Sequence, residues 1–211
     1  MPDESKVHAS SEEAIIDARR AKGALARDRG ESPFANDVHP HLGGRTLDIA
    51  AARALADAAR DHAGRYDEAR VRAALHAGDA GPGTDGEALV HVRGRVTAFR
   101  STGGLSFLRL RDRTGEIQLL VSEAAMGESY ARLSDLDVGD VVEAEGPLTA
   151  SKRGELSIAP RRVRLLTKAF RPLPEKWHGL TDVELRYRQR YVDLIANPPV
   201  EVNAKLAPTA G

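Results

Sequence analysis

Cysteine is absent from all 211 residues, which removes disulfides, thiolate metal sites and cysteine nucleophiles together. Aromatic side chains are scarce, with four Phe, four Tyr and one Trp, so an aromatic on a strand is a costly choice of side chain. There is no excess charge of either sign, because 31 Lys and Arg face 31 Asp and Glu. A net field therefore cannot draw in a polyanion, and any nucleic-acid surface must come from local asymmetry. No apolar run approaches the ~20 residues of a membrane span. The opening MPDESKVHASSEE is acidic and polar, unlike a signal peptide. A cytoplasmic chain without a membrane is expected.

What is present is organised by period. Ser10 and Ser11 before Glu12 and Glu13 predict a helix start, and Gly30 predicts its end. Ile15, Ala18, Lys22 and Leu25 give that helix only a weak apolar stripe, while Arg19, Arg20, Lys22, Arg27 and Arg29 make it basic. Such a helix needs a partner, either RNA phosphate or its own domain. Residues 31–45 read as a loop, and Thr46 to Ala63 and Tyr66 to Leu75 as Ala-rich helices. Residues 78–86, GDAGPGTDG, read as a flexible linker.

Beyond the linker the helical period gives way to alternation. Leu89 to Val96, Leu105 to Leu110, Ile117 to Val121, Val141 to Leu148 and Leu156 to Leu166 predict five strands, and Met126 to Leu136 a helix between the third and fourth. That order is an OB-fold barrel, giving an α+β chain with N-terminal helices and a C-terminal docking helix from Leu180 to Ile195. An OB barrel offers its second and third strands to single-stranded nucleic acid. Phe107 falls on the second strand, Gln118 on the third and Arg100 at the end of the first. A phenylalanine alone would suggest core; with two polar neighbours it suggests a stacking platform. From Arg161 to Tyr191 nine basic residues face three acidic ones, which makes either a solvated face or a phosphate-facing surface.

Other chemistry finds little support. Residues 81–86 lack the Gly-Lys-Ser/Thr of a phosphate loop. Residues 101–104 read as a hairpin turn, and His39 and His41 have no third ligand nearby. No carboxylate pair stands out as an acid/base couple, so neither catalytic nor metal-ligating residues are expected.

Four segments carry a family resemblance. The string LLTKAFRPLPEKWHGLTDVELRYRQRYVDLI (165–195) resembles the joint between the anticodon-binding and catalytic domains of class II lysyl-tRNA synthetases. VRGRVTAFRSTGGLSFLRLRDRTGEIQLLV (92–121) and VGDVVEAEGPLTASKRGELSI (138–158) are similar to that family's barrel, and residues 18–40 to its basic N-terminal helix and turn. The resemblance implies that Phe107 stacks on an anticodon uridine, that Arg100 and Gln118 hydrogen-bond the central base, and that Glu155 contacts a flanking one. It makes Arg19, Arg20, Lys22 and Arg27 phosphate-contact candidates, and it implies a lysine tRNA with anticodon UUU or CUU as partner. A catalytic domain or second subunit would be the protein partner. ATP and Mg²⁺ belong to the full-length ligase, and no cofactor is expected in this chain.

The implied division is a basic helix and loop (1–44), an Ala-rich helical insertion and linker (45–87), the barrel (88–168), a hinge (169–199) and a divergent tail (200–211). Two features depart from the family. Residues 45–86 are longer and richer in Ala, which predicts a surface insertion, and after Pro198 and Pro199 the family's catalytic segments do not follow. A truncated ligase is expected from this, inactive by itself; a free-standing RNA-binding module and a synthetase-docking module remain the alternatives.

Overall fold

The computed structural model describes residues 4–36, 43–75, 81–82, 88–173, 183–188 and 190–196. Helix α1 spans Glu4–Asp28. It starts before Ser10 and Ser11, because no Gly or Pro interrupts the preceding residues and a mid-helix Ser costs only a fraction of a kcal/mol, about 0.5. It ends as expected at Gly30, whose φ of 78 lets Glu31 N–H close on the Ala26 carbonyl at 2.9 Å.

Strand β1 (Arg45–Thr46) precedes helix α2 (Ile49–Ala54), a 3-10 turn (Asp57–Ala59) and helix α3 (Glu68–Ala74). Strand β2 is Gly81–Pro82, followed by β3 (Ala88–Thr102), β4 (Leu105–Arg111) and β5 (Glu116–Ser122). Helix α4 (Glu123–Met126) runs into a 3-10 stretch (Gly127–Asp135). Strands β6 (Val141–Gly146), β7 (Leu148–Ala150), β8 (Leu156–Ile158) and β9 (Arg162–Thr167) complete the sheet.

These pieces form the OB barrel. The long β3 serves two neighbours: its residues 90–95 pair with β6 and its residues 95–102 with β4. It changes partner across a bulge at Val96/Ala98 and at Gly94, where a Cβ would stand 2.9 Å from the Arg111 carbonyl oxygen. Parallel pairing of β5 with β8 closes the barrel, Gln118 opposite Ser157 and Leu119 opposite Ile158. The fourth and fifth barrel strands, expected as continuous, are each broken in two. Pro147 separates β6 from β7 and Pro160 lies between β8 and β9, since neither proline has an N–H for the ladder. The crossing is tight, because a Cβ on Gly146 would lie 2.2 Å from the Ala159 carbonyl oxygen.

Val90, Val92, Val96, Leu108, Leu110, Ile117, Leu119, Val142 and Ile158 fill the interior. The same cluster includes Ile49, Ala52, Ala56, Ala59 and Val71, so the segment 49–71 is part of the core rather than a surface addition. Asp48 caps α2 through the Ala51 N–H at 2.8 Å. Asp112 and Thr114 of the β4–β5 turn accept from Ile49 N–H at 2.8 Å and Ala50 N–H at 3.0 Å. The hairpin turn thus satisfies the free donors of a helix start.

Residues 1–171 and 172–211 are two compact units. In the second, helices α5 (Val183–Arg188) and α6 (Arg190–Ala196) are described, with Tyr187 exposed and Arg190 paired to Asp193. The rest of the expected docking segment, Pro198, Pro199 and the tail lie outside the described residues, as do His39, His41 and most of the 78–86 linker.

Candidate nucleic-acid interface

Period-two alternation on β4 and β5 sends Ser106, Leu108, Leu110, Ile117, Leu119 and Val121 inward. The opposite face carries Phe107, Arg109 and Arg111 from β4 and Glu116, Gln118 and Leu120 from β5. Register then arranges them in rows: Arg100, Phe107 and Leu120 lie abreast, and Ala98, Arg109 and Gln118 form the next row. The Arg100 guanidinium carbon stands 4.9 Å from the Phe107 ring centroid, a cation–π contact. All four residues singled out from the sequence therefore lie on one outer surface or its margin.

Two of them are held by neighbours. Gln118 Nε2 donates to Ser157 Oγ at 3.0 Å, and Ser157 Oγ in turn donates to the Glu155 carbonyl at 3.1 Å. The hydroxyl proton is thereby used, so Ser157 can only accept from the amide. This fixes the Gln118 amide with nitrogen toward Ser157 and leaves its second N–H and its oxygen to face outward. Glu155 is held by Arg109, whose Nη2 lies 2.8 Å from its Oε1, and Arg109 Nη1 also lies 3.6 Å from Glu116 Oε2. Arg109 was missed in the sequence reading although it sits two positions past Phe107. The alternation that puts Leu108 and Leu110 inside was sufficient to find it.

The basic helix divides by face. Arg19 is 9% exposed and its Nη1 donates to the carbonyls of Ala169 and Arg171, both at 3.0 Å. Lys22 pairs with Asp137 at 2.8 Å, and a Cβ on Gly23 would stand 3.2 Å from the Phe170 ring. The buried stripe is thus Arg19, Gly23 and Ala26, with Ile15 and Leu25 exposed. The helix rests on its own domain. Arg20 and Arg27 stay on the exposed side, Arg20 paired with Asp17 at 3.2 Å.

Beneath Lys22 lies a buried ion cluster. Lys168 Nζ is fully enclosed and donates to Asp135 O at 2.7 Å, to Asp140 Oδ2 at 2.8 Å and to Asp137. Burial opposes the charge on Asp137, but Lys168 and Lys22 together outweigh it and hold its carboxyl below the ordinary carboxylate range. A lowered folded value stabilises the fold above the unfolded value near ~4, and that contribution is lost as pH falls below it. Thermal midpoints measured from pH 7 to pH 3 should fall below about pH 4, and Asp137→Asn should flatten that acid limb while lowering the neutral-pH midpoint.

Among the described residues no group of three or more His, Asp and Glu could hold a metal ion, and no helix is long and apolar enough to cross a membrane. The closed OB barrel thus carries an aromatic ring and an oriented amide on its outer β3–β5 face, with a carboxylate–guanidinium pair beside them. Residues 90–166 match the tRNA anti-codon family model, described as an OB-fold nucleic acid binding domain. The chain is 43% identical over 192 residues to the lysine–tRNA ligase of Anaeromyxobacter sp. (strain K), covering 90% of this chain and 33% of the relative. Against the lysine–tRNA ligase of Xylella fastidiosa (strain M12) identity rises to 56% over 110 residues, 52% of this chain and 22% of that protein. The lysine–tRNA ligase of Xanthomonas campestris pv. campestris (strain 8004) is 41% identical over 190 residues, 90% of this chain. The barrel is thus similar to the tRNA anti-codon OB folds, and the resemblance to the anticodon-binding part of lysyl-tRNA synthetases is borne out. The chain spans about a third of the length of the Anaeromyxobacter relative.

Proposed function

We propose that this chain reads the anticodon loop of a lysine tRNA, UUU or CUU, as part of a lysine–tRNA ligase. The observation that carries the reading is the grouping of Arg100 and Phe107 in one row, Gln118 in the next, and Glu155 paired to Arg109 beside it, on a barrel that matches the anti-codon family model. Phe107 stacks on a uridine, a contact worth roughly 1–3 kcal/mol. The next base meets the Gln118 amide, whose outward N–H donates to uracil O4 while its oxygen accepts from N3–H. Cytosine presents the reverse pattern there, an N3 acceptor and an N4 donor, and an amide pinned by Ser157 cannot turn to match it. Arg100 donates to base carbonyls beside the ring. Glu155, oriented by Arg109, accepts from a flanking base.

Arg20 and Arg27 add sequence-independent phosphate contacts from the exposed side of α1, while Arg19 and Lys22 hold that helix on the barrel. Joining lysine to tRNA with ATP and Mg²⁺ is the activity of the whole ligase. A catalytic domain or second subunit is the proposed protein partner.

The pinned amide gives the test. Anticodon stem-loops carrying U or C at the central position are titrated against wild type, Gln118→Ala and Ser157→Ala. Wild type should favour U, Gln118→Ala should lose the preference, and Ser157→Ala should reduce it about fivefold, the worth of one hydrogen bond near 1 kcal/mol. Undiminished preference in Gln118→Ala would remove that residue from the reading.

A further inference from the structure

We propose that the cleft between the 60–66 loop and the 151–154 turn is a second RNA subsite, one that takes phosphodiester backbone rather than bases. It rests on the reading of the β3–β5 face as the anticodon platform, because that face delivers the strand to it.

The cleft is built rather than incidental. Arg60 and Tyr66 form an isolated bridge, and within it Asp61 N–H donates to Arg65 O at 2.8 Å and Gly64 N–H to Asp61 O at 2.9 Å. Asp61 Oδ1 accepts from Arg65 N–H at 2.7 Å, which makes the loop a closed turn. Tyr66 is buried, and its N–H donates to Gly154 O at 2.9 Å, stitching the loop to the tip of the β7–β8 hairpin. Gly154 has φ +79, and a Cβ there would sit 2.7 Å from Arg65 Cβ. The two segments are therefore fixed against each other.

Between them opens a cavity of about 1120 Å³ lined by Arg60, His62, Arg65, Arg70, Lys152 and Arg153. That is a trough for a strand, far larger than the ~30 Å³ share of a water. The acids on its wall are already engaged. Asp61 holds Arg65, Asp67 accepts from Arg70 N–H as the cap of α3, and Glu68 takes Arg72 at 3.2 Å. Arg60, Arg70, Lys152 and Arg153 are exposed and, among the described residues, have no carboxylate partner. The wall's one phenyl-type ring, Tyr66, is buried, and its one exposed ring is the small imidazole of His62 among five cationic side chains. A wall dominated by exposed flexible cations binds phosphates and positions the strand more than it reads it.

Continuity with the base-reading face selects RNA as the occupant. Glu155 directly follows Gly154, its N–H donates to Ser151 Oγ at 3.1 Å, and its carboxylate pairs with Arg109 at 2.8 Å. A strand leaving the base at Glu155 meets Arg153 and Lys152 next, then Arg60 across the cleft. Much of this trough comes from residues 60–70, within the Ala-rich stretch expected from sequence to be a surface insertion.

The test uses the full chain and a lysine-tRNA anticodon stem-loop, with affinity followed from 50 to 200 mM salt. The triple variant Arg60→Gln, Lys152→Gln, Arg153→Gln should lower the slope of log K against log salt by about 2, some 0.7 for each phosphate contact on a single strand. Over that range its affinity should then fall ~16-fold less than that of wild type. Its preference for lysine over aspartate loops should be kept. The pair Lys152→Glu, Arg153→Glu, confined to the turn tip, should act in the same direction without touching the loop stitch. An unchanged slope in both variants, with loop preference intact, overturns the subsite and leaves the anticodon reading standing. A lowered slope in a protein whose wild type shows no loop preference does the opposite: it supports the phosphate site and removes the anticodon reading.

Discussion

Phe107→Ala should weaken binding of a lysine-tRNA anticodon stem-loop by about 1–3 kcal/mol, or ~5- to 150-fold, the range for losing one base–aromatic stack. The ring sits on the outer face of β4, abreast of Arg100 and Leu120, and the inward positions on either side are Ser106 and Leu108. The fold should therefore hardly notice the change, with unfolding free energy moving by about 0.5 kcal/mol. Loss of binding without loss of stability separates a platform residue from a core residue. If urea midpoints fell in step with affinity, Phe107 would be packing rather than recognition. The Arg100 contact at 4.9 Å adds a second expectation. Phe107→Tyr or Phe107→Trp keeps a π-face for both the base and the guanidinium, and should retain most of the affinity.

Lys168→Met is expected to be the most damaging single change to the fold. The ammonium is fully enclosed and serves Asp135 O, Asp137 and Asp140, and Asp140 is itself fully buried. Removing the cation strands the buried Asp140 carboxylate and leaves Asp137 to Lys22 alone, and breaking a buried pair from one side costs about 3–5 kcal/mol. Urea titration at pH 7 would show this as a drop in midpoint. Lys22→Met should cost far less, ~1 kcal/mol or below, because its side chain is 31% exposed and water screens the pair. The double variant Lys168→Met, Asp140→Asn should recover part of the loss. It removes one stranded charge, and the asparagine oxygen can still accept from the Ala169 N–H that Asp140 holds at 2.8 Å.

The barrel was legible because its strands obey simple periods. Leu108, Leu110, Ile117, Leu119 and Val121 alternate cleanly, and the turns at 101–104 and 112–115 punctuate them. Gly30 announced its own positive φ. The sequence was less informative where burial depends on small or charged residues. Ala52, Ala56 and Ala59 carry almost no hydrophobic signal, yet they are buried in the core cluster with Ile49 and Val71. Arg19 and Lys22 read as solvent-facing cations, and their partners Ala169, Arg171 and Asp137 lie more than a hundred residues away. No local pattern encodes such a contact. Pro147 and Pro160 mark the breaks in sequence, but the close crossing of Gly146 over Ala159 is seen only in the fold.

The candidate site followed the same division. Phe107 stood out through the scarcity of aromatics, and Arg100 and Gln118 through their strands, while their roles came from the family resemblance. Arg109 and Ser157 carry no such mark. Arg109 earns its place only once Glu155 is seen across the β5–β8 seam. Ser157 is a fully buried hydroxyl whose relevance depends on the direction of two hydrogen bonds. Residues that orient others are read from geometry, because their own chemistry is ordinary.

The most direct test of the account is an anisotropy titration of two labelled anticodon stem-loops at fixed salt, one from a lysine tRNA and one from an aspartate tRNA. The full chain should bind the lysine loop more tightly, with that preference lost in Phe107→Ala. Equal, weak binding of both loops that is indifferent to Phe107 would contradict it.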